Sequence, residues 1–147
     1  MIYLSHPDTL LKDHLSFTNE TIQELLRVKK INYDLLDVNN TNFKEFMKFI
    51  AFTHDVGKYS EYFQYYIRTR KGSELPTNCI SSEVKENYKE ELKQHGLISG
   101  LVLYTLLSNS KFKNDKKLIF LGINSIIQHH GNLKRHDYLY KKPMLSE

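Results

Sequence analysis

The chain has 147 residues, 40% of them hydrophobic, with 21 Lys and Arg against 17 Asp and Glu and a formal net charge of +4. That is enough to bury one core and too little for two, and the mild basic excess permits a polyanionic partner without demanding one. One cysteine, Cys79, excludes an intrachain disulfide and a multi-thiolate zinc site, and no run approaches the ~18 apolar residues of a membrane span, so a reducing cytoplasm is the expected compartment.

Scarce Gly and Pro within the periodic segments predict long helices joined by short polar connections. A first helix is expected from near Ser5, with Pro7 in its first turn, apolar positions at Leu10, Leu11, Leu15, Ile22, Leu25 and Leu26, and Lys29 and Lys30 at its end. After a connection through Asn39, Asn40 and Thr41, Asn42 suits the N-cap of a second helix carrying Phe43, Phe46, Met47 and Ile50 up to His54. Gly57 interrupts it, and Ser60 with Glu61 opens a third helix across Tyr62, Phe63, Tyr66 and Ile67. Lys71 to Ser82 reads as a loop, Tyr88 to Leu107 as one helix, and Asp115 to His130 as a last helix with Gly131 at C′. Residues from Lys134 to Glu147 have no period and read as a polar tail or the start of a further C-terminal part. Alternating β-branched runs and two-residue hairpin signals are lacking, so the expected fold class is all-α.

Histidines stand where these helices should be apolar. His14 follows Leu10 by four, His54 follows Ile50 by four, His95 follows Leu92 by three and His130 follows Ile126 by four, which aims each at the core side. An unpartnered buried imidazole costs about 1–3 kcal/mol, so several would consume much of the ~5–15 kcal/mol by which a domain is stable. A shared metal ion relieves all of them. The pairs His54-Asp55 and His129-His130 strengthen the inference, because neighbours on a helix point ~100° apart and reach two sides of one cavity. Asp55 can bridge two cations through its two oxygens, and two metals ~3.5–4 Å apart hold an activated water and a phosphate together. Lys58 follows Asp55 by three, and Gly57 between them allows a tight turn toward the same anionic substrate. This Gly-Lys is not a P-loop, since Phe52 and Tyr59 stand where that pattern needs Gly and Ser or Thr.

The ordered set His14, His54-Asp55-Val56-Gly57-Lys58, His95-Gly96-Leu97-Ile98-Ser99 and His129-His130-Gly131 resembles the HD superfamily of metal-dependent phosphohydrolases. Within it, the isolated early His and the double His followed by Gly look most like the CRISPR-associated HD nuclease, the nuclease partner or fused domain of the type I interference helicase. The likeness spans Ser5 to Asn132 and implies an HD-domain helical bundle over residues 1–133 with a metal site between helices. It implies that His14, His54 and Asp55 serve one metal, that Asp55 with His95, His129 and His130 serves another, and that Lys58 stands beside the scissile phosphate. Asp55 and Lys58 are thus the expected catalytic residues. The family pattern ends on a further Asp, which this sequence does not show before Glu147, and Asp137 lies too near His130 to replace it. The expectation is therefore one complete metal site and part of another.

A His-rich set suits Mn, Fe, Co or Ni, with Mg also admissible. Bases of single-stranded DNA can stack on Tyr59 and Tyr62 while Lys58, Arg68 and Arg70 follow the phosphates; Phe63, Tyr66 and Ile67 read as core. His6 and His136-Asp137 read as surface residues, and the lysines at 111, 113, 116 and 117 as a solvated cluster. The resemblance implies a nuclease of single-stranded DNA in CRISPR antiviral defence, acting with the helicase and the type I RNA-guided surveillance complex and without a membrane. Two alternatives stay open at this point: an HD phosphohydrolase of small nucleotides, and a non-catalytic metal-binding HD domain.

Overall fold

The computed structural model describes residues 2–32, 40–70 and 75–129. His130, Gly131 and the expected tail lie outside the described residues. Among those described, the fold is all-α apart from one small hairpin, and no helix is long and apolar enough to cross a membrane.

That hairpin replaces the expected start of the first helix. Strands β1 (Leu4–His6) and β2 (Thr9–Leu10) pair antiparallel, with Leu4 opposite Leu10 and His6 opposite Thr9. Pro7 and Asp8 form the turn between them, where a proline-fixed φ and an Asp side chain favour chain reversal over helix entry. Helix α1 (Leu11–Val28) starts only after it, burying Leu11, Leu15 and Leu26. Helix α2 (Asn40–Thr53) begins two residues before the expected cap at Asn42 and packs along α1.

Beyond α2, a short 3-10 turn spans Val56–Tyr59 and α3 spans Glu61–Thr69. Ser60 caps α3 as expected, its hydroxyl accepting from the Phe63 amide at 3.3 Å. Between the expected loop and the helix expected from Tyr88 a further short helix forms, α4 (Ser82–Asn87), because Ser81 caps it by accepting from the Val84 amide. Glu61 holds that cap in place, accepting from the Ser81 hydroxyl at 2.7 Å.

The predicted helix over Tyr88 to Leu107 is broken. A 3-10 turn at Glu90–Lys93 ends before Gln94, and α5 runs from Gly96 to Ser108. Leu92, which periodicity sets on one face with His95, is 40% exposed. The break has a tertiary cause. The backbone of His95 lies so close to Gly57 that a Cβ added there would stand 2.2 Å from the His95 carbonyl oxygen. The Gly57 amide donates to the Ser99 hydroxyl at 2.9 Å, one turn into α5. The chain must therefore enter α5 at the angle this contact sets. Helix α6 (Lys116–Ile127) closes the bundle on α5, with Asp115 capping it through the Leu118 amide.

The main core joins Phe46 of α2, Leu103 and Leu107 of α5, Phe112 of the connection, and Leu118, Ile119 and Ile126 of α6. A second cluster, Leu4, Phe63 and Ile67, holds the hairpin on α3. Gln64 is fully buried and stitches three segments together. Its Oε1 accepts from the Leu4 amide at 3.0 Å, and its Nε2 donates to the carbonyls of Leu4 and Lys58 at 2.8 and 2.7 Å.

Gly57→Ala should lower stability by about 1–3 kcal/mol or more, because the new methyl meets backbone and not a movable side chain. Urea unfolding of this variant against wild type measures the loss, and an unchanged midpoint would show that the two segments are not in contact.

Candidate metal centre

Four parts of the bundle deliver imidazoles to one carboxylate. His14 comes from the first turns of α1, His54 and Asp55 from the residues just past α2, His95 from the start of α5, and His129 from just past α6. His54, Asp55 and His129 lie just beyond the last residues of their helices. His54 still donates its amide to the Ile50 carbonyl at 2.9 Å, which ties its orientation to α2.

Asp55 is 2% exposed and its two oxygens face different partners. Oδ2 lies 2.9 Å from His14 Nε2, 3.5 Å from His54 Nε2 and 2.7 Å from Lys58 Nζ. Oδ1 lies 2.9 Å from His95 Nε2 and 3.1 Å from His129 Nε2. The histidine nitrogens on the Oδ2 side also approach one another, with His14 Nε2 and His54 Nε2 3.2 Å apart. Ligand atoms within 4.8 Å of one another thus form two groups, His14 with His54 and Asp55, and Asp55 with His95 and His129. They share Asp55 and nothing else.

The hydrogen bonds on the far sides of the rings show that this donor set fits a metal ion. His54 Nδ1 donates to the Ala51 carbonyl at 2.8 Å, and His129 Nδ1 donates to the Ile126 carbonyl at 2.5 Å. With a hydrogen fixed on each Nδ1, a neutral ring turns the lone pair of Nε2 toward the carboxylate. A lone pair facing a carboxylate oxygen is repulsive unless a cation lies between them. A proton or a divalent ion fills that role, and imidazole nitrogen with carboxylate oxygen is the donor chemistry of transition ions.

The titration behaviour follows. Burial alone would raise the pKa of Asp55, yet hydrogen bonds from His129, His95 and Lys58 outweigh it and hold the carboxyl far below the usual carboxylate range. The bond to Asp55 raises the pKa of His129 against the opposing effect of burial. Burial lowers that of His54 in spite of Asp55 and the Ala51 carbonyl, leaving a neutral ring ready to ligate. The two rings therefore differ, since the proton on His129 takes the position an ion would take and that on His54 is already disfavoured.

Lys58 is 4% exposed, and its ammonium lies 5.4 Å from the centre of the Phe63 ring as well as against Asp55. A cleft of about 810 Å³ opens beside the cluster, lined by Lys58, His95, Arg70 and Lys93 over an apolar floor that includes Phe63 and Tyr66. No Asp or Glu lines it among the described residues. Of the residues expected to follow nucleic acid, Arg70 lines this cleft, while Tyr59, 41% exposed, packs edge-on against Tyr3 on another rim. Tyr62 is half-buried on α3 and lines no part of the cleft. Arg68 has a different place from the one expected. It is 6% exposed, and its guanidinium donates to the Pro76 and Ile2 carbonyls at 3.0 and 2.6 Å, where it ties the segments at Ile2 and Pro76 to α3 and faces no open surface. Sequence reasoning passed over Lys93, which lies outside the aromatic and basic run, and read His6 as a surface residue; His6 is exposed, and both line the cleft.

Proton and ion compete at His129, which sets a pH dependence. Its folded pKa is raised, so the bond to Asp55 stabilises the metal-free fold fully below the ordinary histidine value of 6.5 and is lost as pH rises through the folded value. The Asp55 contribution has the opposite sign, present above the ordinary carboxylate value of 3.8 and lost only as pH falls toward its depressed one. Metal-free protein should therefore lose melting temperature as pH rises above neutrality, whereas protein with saturating Mn²⁺ should gain it, because the ion binds the neutral ring. Melting curves with and without Mn²⁺ across pH 5–9 measure this, roughly bracketing the His titration range. Parallel curves would exclude His129 as a ligand.

The family model described as "Cas3, HD domain" matches residues 8–146. No curated protein and no solved structure matches the chain. The matched residues take in His14, the His54-Asp55 pair, Lys58, His95 and His129, and over that span the chain belongs to the Cas3 HD-domain family of CRISPR-associated HD nucleases.

Proposed function

We propose that the chain hydrolyses phosphodiester bonds of single-stranded DNA with two divalent ions, one on each oxygen of Asp55. The observation that carries this reading is the division of the carboxylate, with Oδ2 facing His14 and His54 and Oδ1 facing His95 and His129. When bound, the ions supply Lewis acidity and a nucleophile from water at neutral pH. His14, His54 and Asp55 would hold one, and Asp55, His95 and His129 the other, with the expected His130 beyond the described residues. Mn, Fe, Co and Ni suit this nitrogen-rich set, and Mg suits it less.

Everything else is done by the chain's own groups. The carbonyls of Ala51 and Ile126 hold the ring tautomers so that no reorganisation precedes ion binding. Lys58 both pairs with Asp55 and lines the cleft, so an anionic oxygen approaching the cluster first meets its ammonium. Arg70 extends positive charge along the same cleft, Lys93 lines it while paired with Glu90, and its apolar floor gives bases a surface to rest on. An open cationic cleft suits a strand, in contrast to the closed pocket of a small-nucleotide hydrolase. In the cell, we place this activity in the cytoplasm, in CRISPR defence, with the interference helicase and the type I surveillance complex supplying the strand.

Asp55→Ala should reduce Mn²⁺-dependent cleavage of a single-stranded DNA oligonucleotide by more than about 100-fold, beyond the 10–100-fold that loss of a ligand-orienting bond costs. Undiminished cleavage would overturn the reading. Turnover of nucleotide monophosphates or cyclic nucleotides in place of the oligonucleotide would move the substrate from DNA to small nucleotides.

A further inference from the structure

Helix α5 is apolar all round, and none of its 13 residues carries a charge. Such a helix belongs inside a protein, yet the bundle covers only the side that holds Ser99, Gly100, Leu103 and Leu107. It packs antiparallel to α6, with Gly96 beside Ile127 and Leu103 beside Gly122.

Leu97, Leu101 and Tyr104 follow one another at i, i+4 and i+7 and form one ridge of α5, while Phe120, Ile123 and Ile127 form a ridge of α6 at i, i+3 and i+7. Gly100 shows that both ridges stand on the same side of the helix pair. It lies about 40–60° round the helix from Tyr104 and Leu97, between their ridge and the residues packed on α6. The atoms nearest to where its Cβ would stand belong to the α6 ridge, Ile127 Cγ1 at 3.0 Å and Ile123 Cγ2 at 3.6 Å. With no side chain at Gly100 to hold them apart, the two ridges meet in one apolar face. Leu97, Leu101, Tyr104, Phe120 and Ile127 are each between 42% and 64% exposed on it.

The chemistry and extent of this face select its occupant. Uncharged, mostly aliphatic side chains offer nothing to the phosphates of a nucleic acid and no ion pair to a charged peptide. Five large side chains exposed to this degree present roughly 500–600 Å² of apolar surface. That is the top of the range for a patch on a monomer. It is close to the apolar share, roughly 65%, of the ~800 Å² that each subunit of a standard homodimer buries. Two parallel-running ridges are also self-complementary, because a two-fold axis over their seam lays each α5–α6 pair on its copy as a four-helix layer.

We propose that the α5–α6 face is the docking surface of a second copy of this chain, forming a two-fold symmetric dimer. Leu97 and Ile127 also line the cleft, so each cleft opens at the edge of the interface. The dimer does not depend on which reaction the cleft supports.

Sedimentation velocity of the full chain over roughly 0.1–100 µM tests this. Within that range wild type should pass from 17.4 kDa to twice that mass. Its melting temperature should rise by roughly 4 °C for each hundredfold in concentration. Leu101→Glu should sediment as a monomer, its dimer weakened by more than about 100-fold, because two-fold symmetry buries the new carboxylate twice. Phe120→Glu should do the same from the α6 ridge, so either variant decides if the other loses helix content by circular dichroism. Both positions are exposed and outside the metal cluster, so Mn²⁺ affinity should stay as in wild type. A dimer that persists in both variants would overturn the proposal by placing the interface elsewhere. Wild type that stays monomeric throughout the range would overturn it as well. In that case a loss of several degrees in the melting temperature of Leu101→Glu assigns the face to other parts of this chain, and no loss assigns it to an unlike partner.

Discussion

One buried carboxylate, shared by four imidazoles and an ammonium, governs this molecule. Asp55 meets His14, His54 and Lys58 at one oxygen and His95 and His129 at the other. A charge so buried is tolerable only when its partners supply opposite charge and hydrogen bonds in good geometry, and withdrawing one partner from such a pair commonly costs about 3–5 kcal/mol. The cluster therefore ties α1, α2, α5 and α6 together by polar contacts, beside the packing of the apolar core. A metal ion relieves the same strain in a different way, replacing protons on the rings by a cation that both nitrogen and oxygen can ligate. Folding and ion binding are thus coupled through the same five side chains.

The surrounding structure can be understood as what brings these side chains within reach. His95 gets there because α5 enters against the 3-10 turn that follows Asp55, with Gly57 providing the space and Ser99 the hydrogen bond. That turn is held in its own place by Gln64, which also grips β1. The hairpin thereby becomes a wall of the cleft, and the same residues that stabilise the fold define where an anion can enter.

Helices were legible where apolar positions recur at three- and four-residue steps, as in α1 and α3, and where a cap residue marks the start, as Ser60 does for α3 and Asp115 for α6. Periodicity found α5 but defined its buried face poorly, because Leu97, Leu101 and Tyr104 are apolar yet more than half exposed, so no stripe distinguishes inside from outside. It failed at Gln94 and His95, where nothing local signals a break and a contact with Gly57, far along the chain, imposes one. The same kind of contact explains Arg68. Its neighbours suggested a surface cation, but the carbonyls of Ile2 and Pro76 that occupy it belong to segments brought near only by folding.

Residue chemistry and spacing along the chain set His14, His54, His95 and His130 on core sides and drew in Asp55 and His129 through the pairs His54-Asp55 and His129-His130, because imidazoles at such positions call for a common partner. Spacing along a helix sets only which side a residue is on. Which oxygen of Asp55 each ring would face, that Lys58 would pair with the carboxylate while lining the cleft, and that His6 would stand at its rim were decided by how α1, α2, α5 and α6 pack and by the hairpin Gln64 holds in place. Apart from the i,i+3 pair of Asp55 and Lys58, those are distances between segments tens of residues apart, and the backbone geometry of any one segment carries no record of them.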